Sequence, residues 1–204
     1  FFCIYNEDSE KIGILFNINK VIASIKNDEK LFNNIEITYS KNQLGIEKEK
    51  VYLDRNVYYY ENGDILIEQN FKNGKLNGSY KEFYEGNKPK IEATYINDKE
   101  EGDYIVYYEN KQKQVVSKFK NGQPEGEWIH YYSNGKEKKK MNFLNGMKNG
   151  KEIEYYENGN KKLESEFKND KETGIWTVYF ENGKISTTFS YLDGRLDGPI
   201  IIYD

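Results

Sequence analysis

Three observations predict an all-β chain built as an elongated, single-layer antiparallel β-meander of 24-residue hairpin repeats. Glycine returns at Gly78, Gly102, Gly126, Gly150, Gly174 and Gly198, always 24 residues apart. Asn-Gly pairs separate runs in which aromatic and charged residues alternate. Among the 204 residues only 37% are hydrophobic, yet 16% are aromatic, with 19 Tyr and 11 Phe. A fixed period of this length marks an array in which each unit is one supersecondary element stacked on the next. Rings on a pleated surface supply apolar area without the thick aliphatic core of a two-layer globule.

Each unit can be read by counting from its glycine as position zero. Position two is Tyr80, Tyr104, Trp128, Glu152, Trp176 and Ile200. Position five is Phe83, Tyr107, Tyr131, Tyr155, Tyr179 and Tyr203, and position six is Tyr84, Tyr108, Tyr132, Tyr156 and Phe180. Positions eight and nine read Asn134–Gly135, Asn158–Gly159 and Asn182–Gly183, with Asn62–Gly63 in the unit before Gly78. Position 17 is Phe71, Tyr95, Phe119, Phe143, Phe167 and Tyr191. Asn-Gly between alternating runs signals a two-residue type I′ hairpin, so each unit is expected to be one hairpin. A return loop such as Lys72-Asn73-Gly74-Lys75-Leu76-Asn77 then leads into the next.

A two-residue turn at positions eight and nine would set six opposite 11, four opposite 13, two opposite 15, and zero opposite 17. Alternation then gives two faces. A ring face carries the glycine, positions two, four, six and 13, and the aromatic at 17, which is expected to fold over the bare glycine backbone. A wet face carries the position-five tyrosines among Lys, Glu, Thr and Ser. If the sheet curves, the ring face is expected to line the concave side.

The good units occupy residues 54–204: six 24-residue repeats plus a partial C-terminal unit. Residues 1–53 read as degenerate hairpins or a cap, with a shortened unit over Ile25–Leu53 and another hairpin over Phe1–Lys20. The whole is expected to form one continuous meander. Two turns depart from Asn-Gly, at Gly86–Asn87 and Asn110–Lys111, and Lys111 calls for a different turn. Asp98 and Asp170 replace loop glycines, which Asp tolerates in the left-handed region.

Net charge is −4, with a pI near 5.4, and mean hydropathy is −0.93. No whole-molecule field favours nucleic acid, which is not expected as a partner, and membrane association finds no support in the charge. Lys136 and Lys138–Lys140 are the densest basic cluster, interrupted by Glu137. One cysteine, Cys3, excludes an intramolecular disulfide or a cysteine zinc cluster. The chain starts Phe1-Phe2-Cys3, which reads as the edge of a removed segment. It lacks the small residue expected before a lipid-modified cysteine. The compartment stays open: cytoplasmic, or exported if that start is a signal-peptide remnant. No apolar run is long enough for a transmembrane helix.

Hairpins reading aromatic-x-x-Tyr-Tyr-x-Asn-Gly-Lys, then Phe-Lys-Asn-Gly-Lys-x-x-Gly, resemble the bacterial variant of MORN repeats over Val57–Asp204. Gly126–Gly150 and Gly174–Gly198 match most closely. The resemblance implies an elongated, curved β-meander that binds rather than catalyses. It also implies a protein-interaction or lipid-associated module, and relatives of this type are often labelled antitoxins of toxin–antitoxin pairs.

His130, the only histidine, stands at position four between Trp128 and Tyr131–Tyr132. In the expected register it faces Lys139, which faces Glu154, with Glu152 beside them where an aromatic belongs. The sharp reading is a polar recognition spot interrupting the ring stripe. The bland one is a cross-strand ion pair with a histidine next to it, worth about 0.2–1 kcal/mol. No GxSxG, HExxH, P-loop or CxxC pattern occurs, and Leu192–Gly198 (LDGRLDG) lacks the distal ligands of a calcium loop. An enzyme, a catalytic residue, a cofactor, a metal and a small-molecule substrate are therefore not expected.

The expected function is a non-enzymatic scaffold binding a protein through its aromatic face, in its narrowest form neutralising a toxin or effector. The alternative is an exported envelope or surface adaptor touching host or lipid ligands. The candidate partner-binding residues are Tyr108, Trp128, His130, Tyr132, Lys139, Glu152, Glu154, Tyr156 and Trp176, with wet-face Tyr107, Tyr131, Tyr155 and Tyr179 as runners-up.

Overall fold

The computed structural model describes residues 55–204 throughout and, before them, three strand segments. These are β1 (Phe2–Tyr5), β2 (Lys11–Leu15) and β3 (Glu36–Thr38), an antiparallel sheet in the order β2-β1-β3. Here the expectation of one continuous meander is corrected. Upstream of Asn56 the period of glycines and rings fades, and β1 pairs with both β2 and β3 instead of feeding the repeat ladder. A hairpin does lie within Phe1–Lys20; most of the unit expected over Ile25–Leu53 falls outside the described residues. Phe1–Arg55 with Phe71–Gly74 makes one compact unit, and Asn56–Asn70 with Lys75–Asp204 makes the other.

The second sheet is the repeat array, 16 strands joined antiparallel. It runs β4 (Arg55–Tyr59), β5 (Ile65–Lys72), β6 (Lys75–Tyr84), β7 (Lys88–Ile96), β8 (Lys99–Tyr107) and β9 (Lys113–Lys120). It continues through β10 (Gln123–Pro124), β11 (Gly126–Tyr131), β12 (Glu137–Leu144), β13 (Met147–Lys148), β14 (Gly150–Tyr155) and β15 (Lys161–Lys168). Last come β16 (Lys171–Tyr179), β17 (Ile185–Leu192), β18 (Arg195–Leu196) and β19 (Ile201–Ile202). The strands pair in chain order except that β10, β13 and β18 are stubs, after which β11, β14 and β19 pair with β9, β12 and β17. The fold class is thus all-β, an open sheet of hairpins with no helix among the described residues.

The register follows the sequence reading over most of each hairpin. Gly126 pairs with Phe143, Trp128 with Met141 and His130 with Lys139; Gly150 pairs with Phe167 and Gly174 with Tyr191. Near the turn it departs. Tyr132 N–H donates to Lys136 O at 2.8 Å and Gly135 N–H to Tyr132 O at 2.9 Å. Gly135 has φ 85° while Asn134 is absent from the positive-φ residues, so this is a type I turn with a glycine bulge. The same bonds recur at Gly63, Gly159 and Gly183. Type I′ belongs instead to the return loops. There Asn145 and Gly146 have φ 51° and 82°, and Asn121 and Gly122 have 52° and 77°. The type I′ turn expected at positions eight and nine thus lies in the return loop, because Asn-Gly serves both turns and only strand spacing separates them. Asp98 and Asp170 hold the loop with φ 68° and 65°. At Gly86–Asn87 both residues have positive φ.

Lys111 does not need a different turn. It occupies the bulge position at φ 68°, donating its N–H to Tyr108 O at 2.9 Å. A side chain there crowds its own carbonyl. Lys111→Gly is therefore expected to raise stability by about 0.5–1 kcal/mol in urea unfolding, after the glycine's extra unfolded-state entropy is subtracted. A destabilised variant would contradict the strain.

The repeat glycine is also explained differently. All six have φ between 67° and 107°. A Cβ on Gly102 or Gly126 would meet nothing within 4 Å, and on Gly174 it would meet Glu166 Oε2 at 2.8 Å. In no case is the ring at position 17 the obstacle. Left-handed backbone, not an overlying aromatic, demands glycine there.

The position-six tyrosines tie one unit to the next. Tyr60, Tyr84, Tyr108, Tyr132 and Tyr156 donate their hydroxyls to the carbonyls of Phe83, Tyr107, Tyr131, Tyr155 and Tyr179, at 2.7–3.0 Å. Phe180 has no hydroxyl to extend this ladder. In Tyr132→Phe the Tyr155 carbonyl loses its side-chain donor, and thermal unfolding should show a loss of about 1 kcal/mol. An unchanged melting temperature would deny the rung a structural role. Within the hairpins a row lies under the rings, where position 15 is small or flexible in four successive units: Ala93, Ser117, Met141 and Ser165 are all buried, and Phe189 takes the place in the next. Ser117 lies opposite Tyr104 and donates to its carbonyl at 3.0 Å. Composition gave no hint of this row.

Candidate functional site

Six of the nine candidate residues come together on the ring face between β11 and β14. Trp128 lies between Phe119 and Phe143, with ring centroids 5.2 and 4.9 Å away, and its Nε1–H donates to Lys118 O at 3.1 Å. Tyr104 extends the run on Phe119 at 5.4 Å. The aromatic stripe stops at Glu152, which is 5% exposed and receives Lys139 Nζ at 2.6 Å and Lys148 Nζ at 2.7 Å. Lys148 also stands 4.5 Å above the Phe167 ring, so a cation bridges the gap left by the missing aromatic. Lys139 reaches Glu154 at 3.0 Å and pairs in register with His130 on one side and Glu154 on the other. The bland reading of a single ion pair is thus too small: a buried carboxylate is shared by two lysines.

Trp176 lies further along, 5.5 Å from Phe167 and 5.1 Å from Tyr191; its Nε1 is buried without a partner, and nothing in the structure explains that. Tyr108, Tyr132 and Tyr156 spend their hydroxyls on the interunit ladder, so what they offer outward is ring, not hydroxyl.

Strict alternation put position 12 on the wet face, and the structure moves it. Between Tyr131–Glu137 and His130–Lys139 the register slips by one residue, which leaves Lys138 as the extra residue of a bulge. Its ammonium lies 5.6 Å over the Tyr132 ring, on the same side as His130. Lys90 takes the same place over Tyr84 at 5.6 Å, and Lys162 approaches Glu154 at 3.9 Å. These lysines are ring-face residues the sequence reading missed. Recognising a bulged rather than a two-residue turn would have found them.

His130 is half-buried. Burial, then the positive charges of Lys139 and Lys138, hold its pKa below the usual imidazole value, against a smaller opposing pull from Glu152. The folded protein therefore binds this proton less readily than the unfolded chain. The stabilisation is fully present above the unfolded pKa of about 6.5 and is lost as pH falls below it. His130→Gln should flatten the stability profile between about pH 7 and pH 5; an identical slope in variant and wild type would sink the assignment. Lys139 moves the other way. Its hydrogen bonds to Glu152 and Glu154 outweigh burial and raise its pKa.

The wet face has its own order. Tyr107 donates to Glu92 Oε2 at 2.8 Å and Tyr179 donates to Glu164 Oε2. Burial, followed by these bonds, pushes both phenols up to about 12. Ile105, Val116 and Ile129 form a half-buried aliphatic row alongside. Among the described residues no group of three or more His, Cys, Asp or Glu is placed to hold a metal ion, and no helix is long and apolar enough to cross a membrane.

Comparison with family profiles matches the MORN repeat variant at residues 56–73, 76–97, 124–145, 148–169 and 172–193, together just over half of the chain. The chain belongs to the MORN repeat variant family. Comparison with curated proteins gives no match. MORN repeats are non-catalytic modules that generally bind proteins or membrane lipids. The matched MORN segments step over residues 98–123, the unit with Lys111 in its turn. There the hairpin, the tyrosine rung and the return loop all persist.

Proposed function

We propose that this MORN protein is a non-enzymatic scaffold that binds a protein partner on its ring face, centred on Trp128, His130, Tyr132, Lys139 and Glu154, with Tyr108, Tyr156 and Trp176 flanking. The observation that carries the reading is the partly buried, partly exposed run Tyr104–Phe119–Trp128–Phe143 ending at a charged cluster. Aromatic area beside fixed charges is what interaction hot spots are made of. Glu152, buried beneath its two lysines, positions the charges rather than meeting the partner. Neutralising a toxin or effector is the narrower form of this reading and requires a tight equimolar complex.

The test places a photo-crosslinking side chain at Lys138, exposed on the ring face, or at Ile175, 70% exposed on the wet face. Irradiation in the native cells should give an adduct with one protein from position 138 and none from position 175. Adducts from position 175 alone would overturn the ring-face assignment.

A further inference from the structure

The lysine at position 12 is neutralised differently in successive units. In the Gly78 unit, Lys90 lies over the Tyr84 ring and is held by Glu82, at position four, at 2.6 Å. In the Gly150 unit, Glu154 fills position four, but Lys139 draws it to 3.0 Å while Lys162 stays at 3.9 Å. In the Gly126 unit position four is His130, whose depressed pKa keeps it uncharged at neutral pH. Lys138, exposed over the Tyr132 ring, has no carboxylate within 4.0 Å among the described residues.

The charge count agrees. Lys136, Lys138, Lys139, Lys148 and Lys162 stand against Glu152, Glu154 and Glu157, a local surplus of two positive charges on a chain whose net charge is −4. Glu152 is buried and the Glu154 side chain is 28% exposed, whereas Lys138 is exposed and the Lys162 side chain is 51% exposed; the exposed Glu157 is engaged by Asn134 at its carboxylate and by Lys136 at its carbonyl. What a partner meets is positive charge on aromatic ground.

Resting on the ring-face reading above, we propose that this spot binds an acidic segment of the partner protein. A partner carboxylate takes the place beside Lys138 that Glu82 fills beside Lys90, and neighbouring apolar side chains lie along Trp128 and Tyr132. His130 is then a specificity residue: it leaves the lysine without an internal counterion. A carboxylate paired with an ammonium over a ring gains more than an exposed pair in water, because the ring shields one side.

The decisive variant is His130→Glu, which copies a residue that positions 82 and 154 already accommodate and supplies the counterion from within. The probe is a fluorescein-labelled peptide alternating Glu with Phe, read by anisotropy beside its Lys-with-Phe counterpart. The Glu peptide should bind about tenfold or more tightly than the Lys peptide, and weaken with added salt. His130→Glu and Lys138→Glu should each cost about tenfold, while Ile175→Lys changes nothing. Equal affinity for both peptides, with radical footprinting still protecting Trp128, would overturn the acidic-partner inference and leave the ring-face reading standing. Protection confined to Ile105 and Ile129 would overturn both. Phosphatidylserine vesicles binding where the Glu peptide does not would replace the acidic polypeptide with a membrane surface.

Discussion

Trp128→Ala is expected to lower the free energy of unfolding by about 3 kcal/mol, the largest effect of any single ring. The indole sits between Phe119 and Phe143, covers Met141 across the strand pair and donates to the Lys118 carbonyl. Truncation removes two ring contacts of about 0.5–1.5 kcal/mol each, uncovers buried methionine and takes one of two donors from the Lys118 carbonyl, which keeps the Glu125 N–H at 2.9 Å. Only partial exposure of the ring keeps the figure below that of a full core tryptophan. Ile175→Ala, on the exposed wet face of the same sheet, should stay within about 0.5 kcal/mol. Urea unfolding of the two variants beside wild type checks the contrast. Equal, small losses would mean that the ring face is not what holds adjacent units together.

The second large effect belongs to Glu152. Glu152→Ala removes the carboxylate that Lys139 and Lys148 share, leaving Lys139 on Glu154 alone and Lys148 over the Phe167 ring with no carboxylate among the described residues, and should cost about 2 kcal/mol. Putting hydrophobic residues at both ends is different. The double variant Glu152→Tyr with Lys139→Val copies the neighbouring pair Trp128 and Val115. It should recover about half of that loss or more, since apolar packing replaces the buried pair; Lys148 and Glu154, with side chains 31% and 28% exposed, then turn to solvent, and Lys162 stands 3.9 Å from Glu154. A single substitution that costs nothing, or a double variant worse than the single, would show that the cluster does not bear on folding.

How much of this was legible beforehand depends on the residue asked about. The faces and the pairings of zero with 17, two with 15 and four with 13 were legible because a 24-residue period samples the same geometry six times. His130 facing Lys139 facing Glu154 followed from it. Local backbone was harder. Asn134–Gly135 and Asn145–Gly146 are the same dipeptide in two different turns, and no local signal separates them. That one ambiguity hid the bulge at position 12 and so hid Lys138. Glu152 was legible as an oddity but not as a buried, doubly paired carboxylate, because Lys148 reaches it from the end of the preceding return loop. Lys111 was expected to break the turn, yet the tyrosine rung and the strand pairing around it hold the same geometry against the strain.

The central claim is that the ring face is the binding face. Hydroxyl-radical footprinting of the protein alone and bound to the partner recovered through the crosslink at position 138 tests it most directly. Protection of Trp128, Tyr132 and Tyr156, with Ile105, Ile129 and Ile153 reacting as in the free protein, is the predicted result. Protection of the isoleucines with the three rings left reactive would contradict it, and would turn the ring face into an internal structural stripe with binding on the opposite side of the sheet.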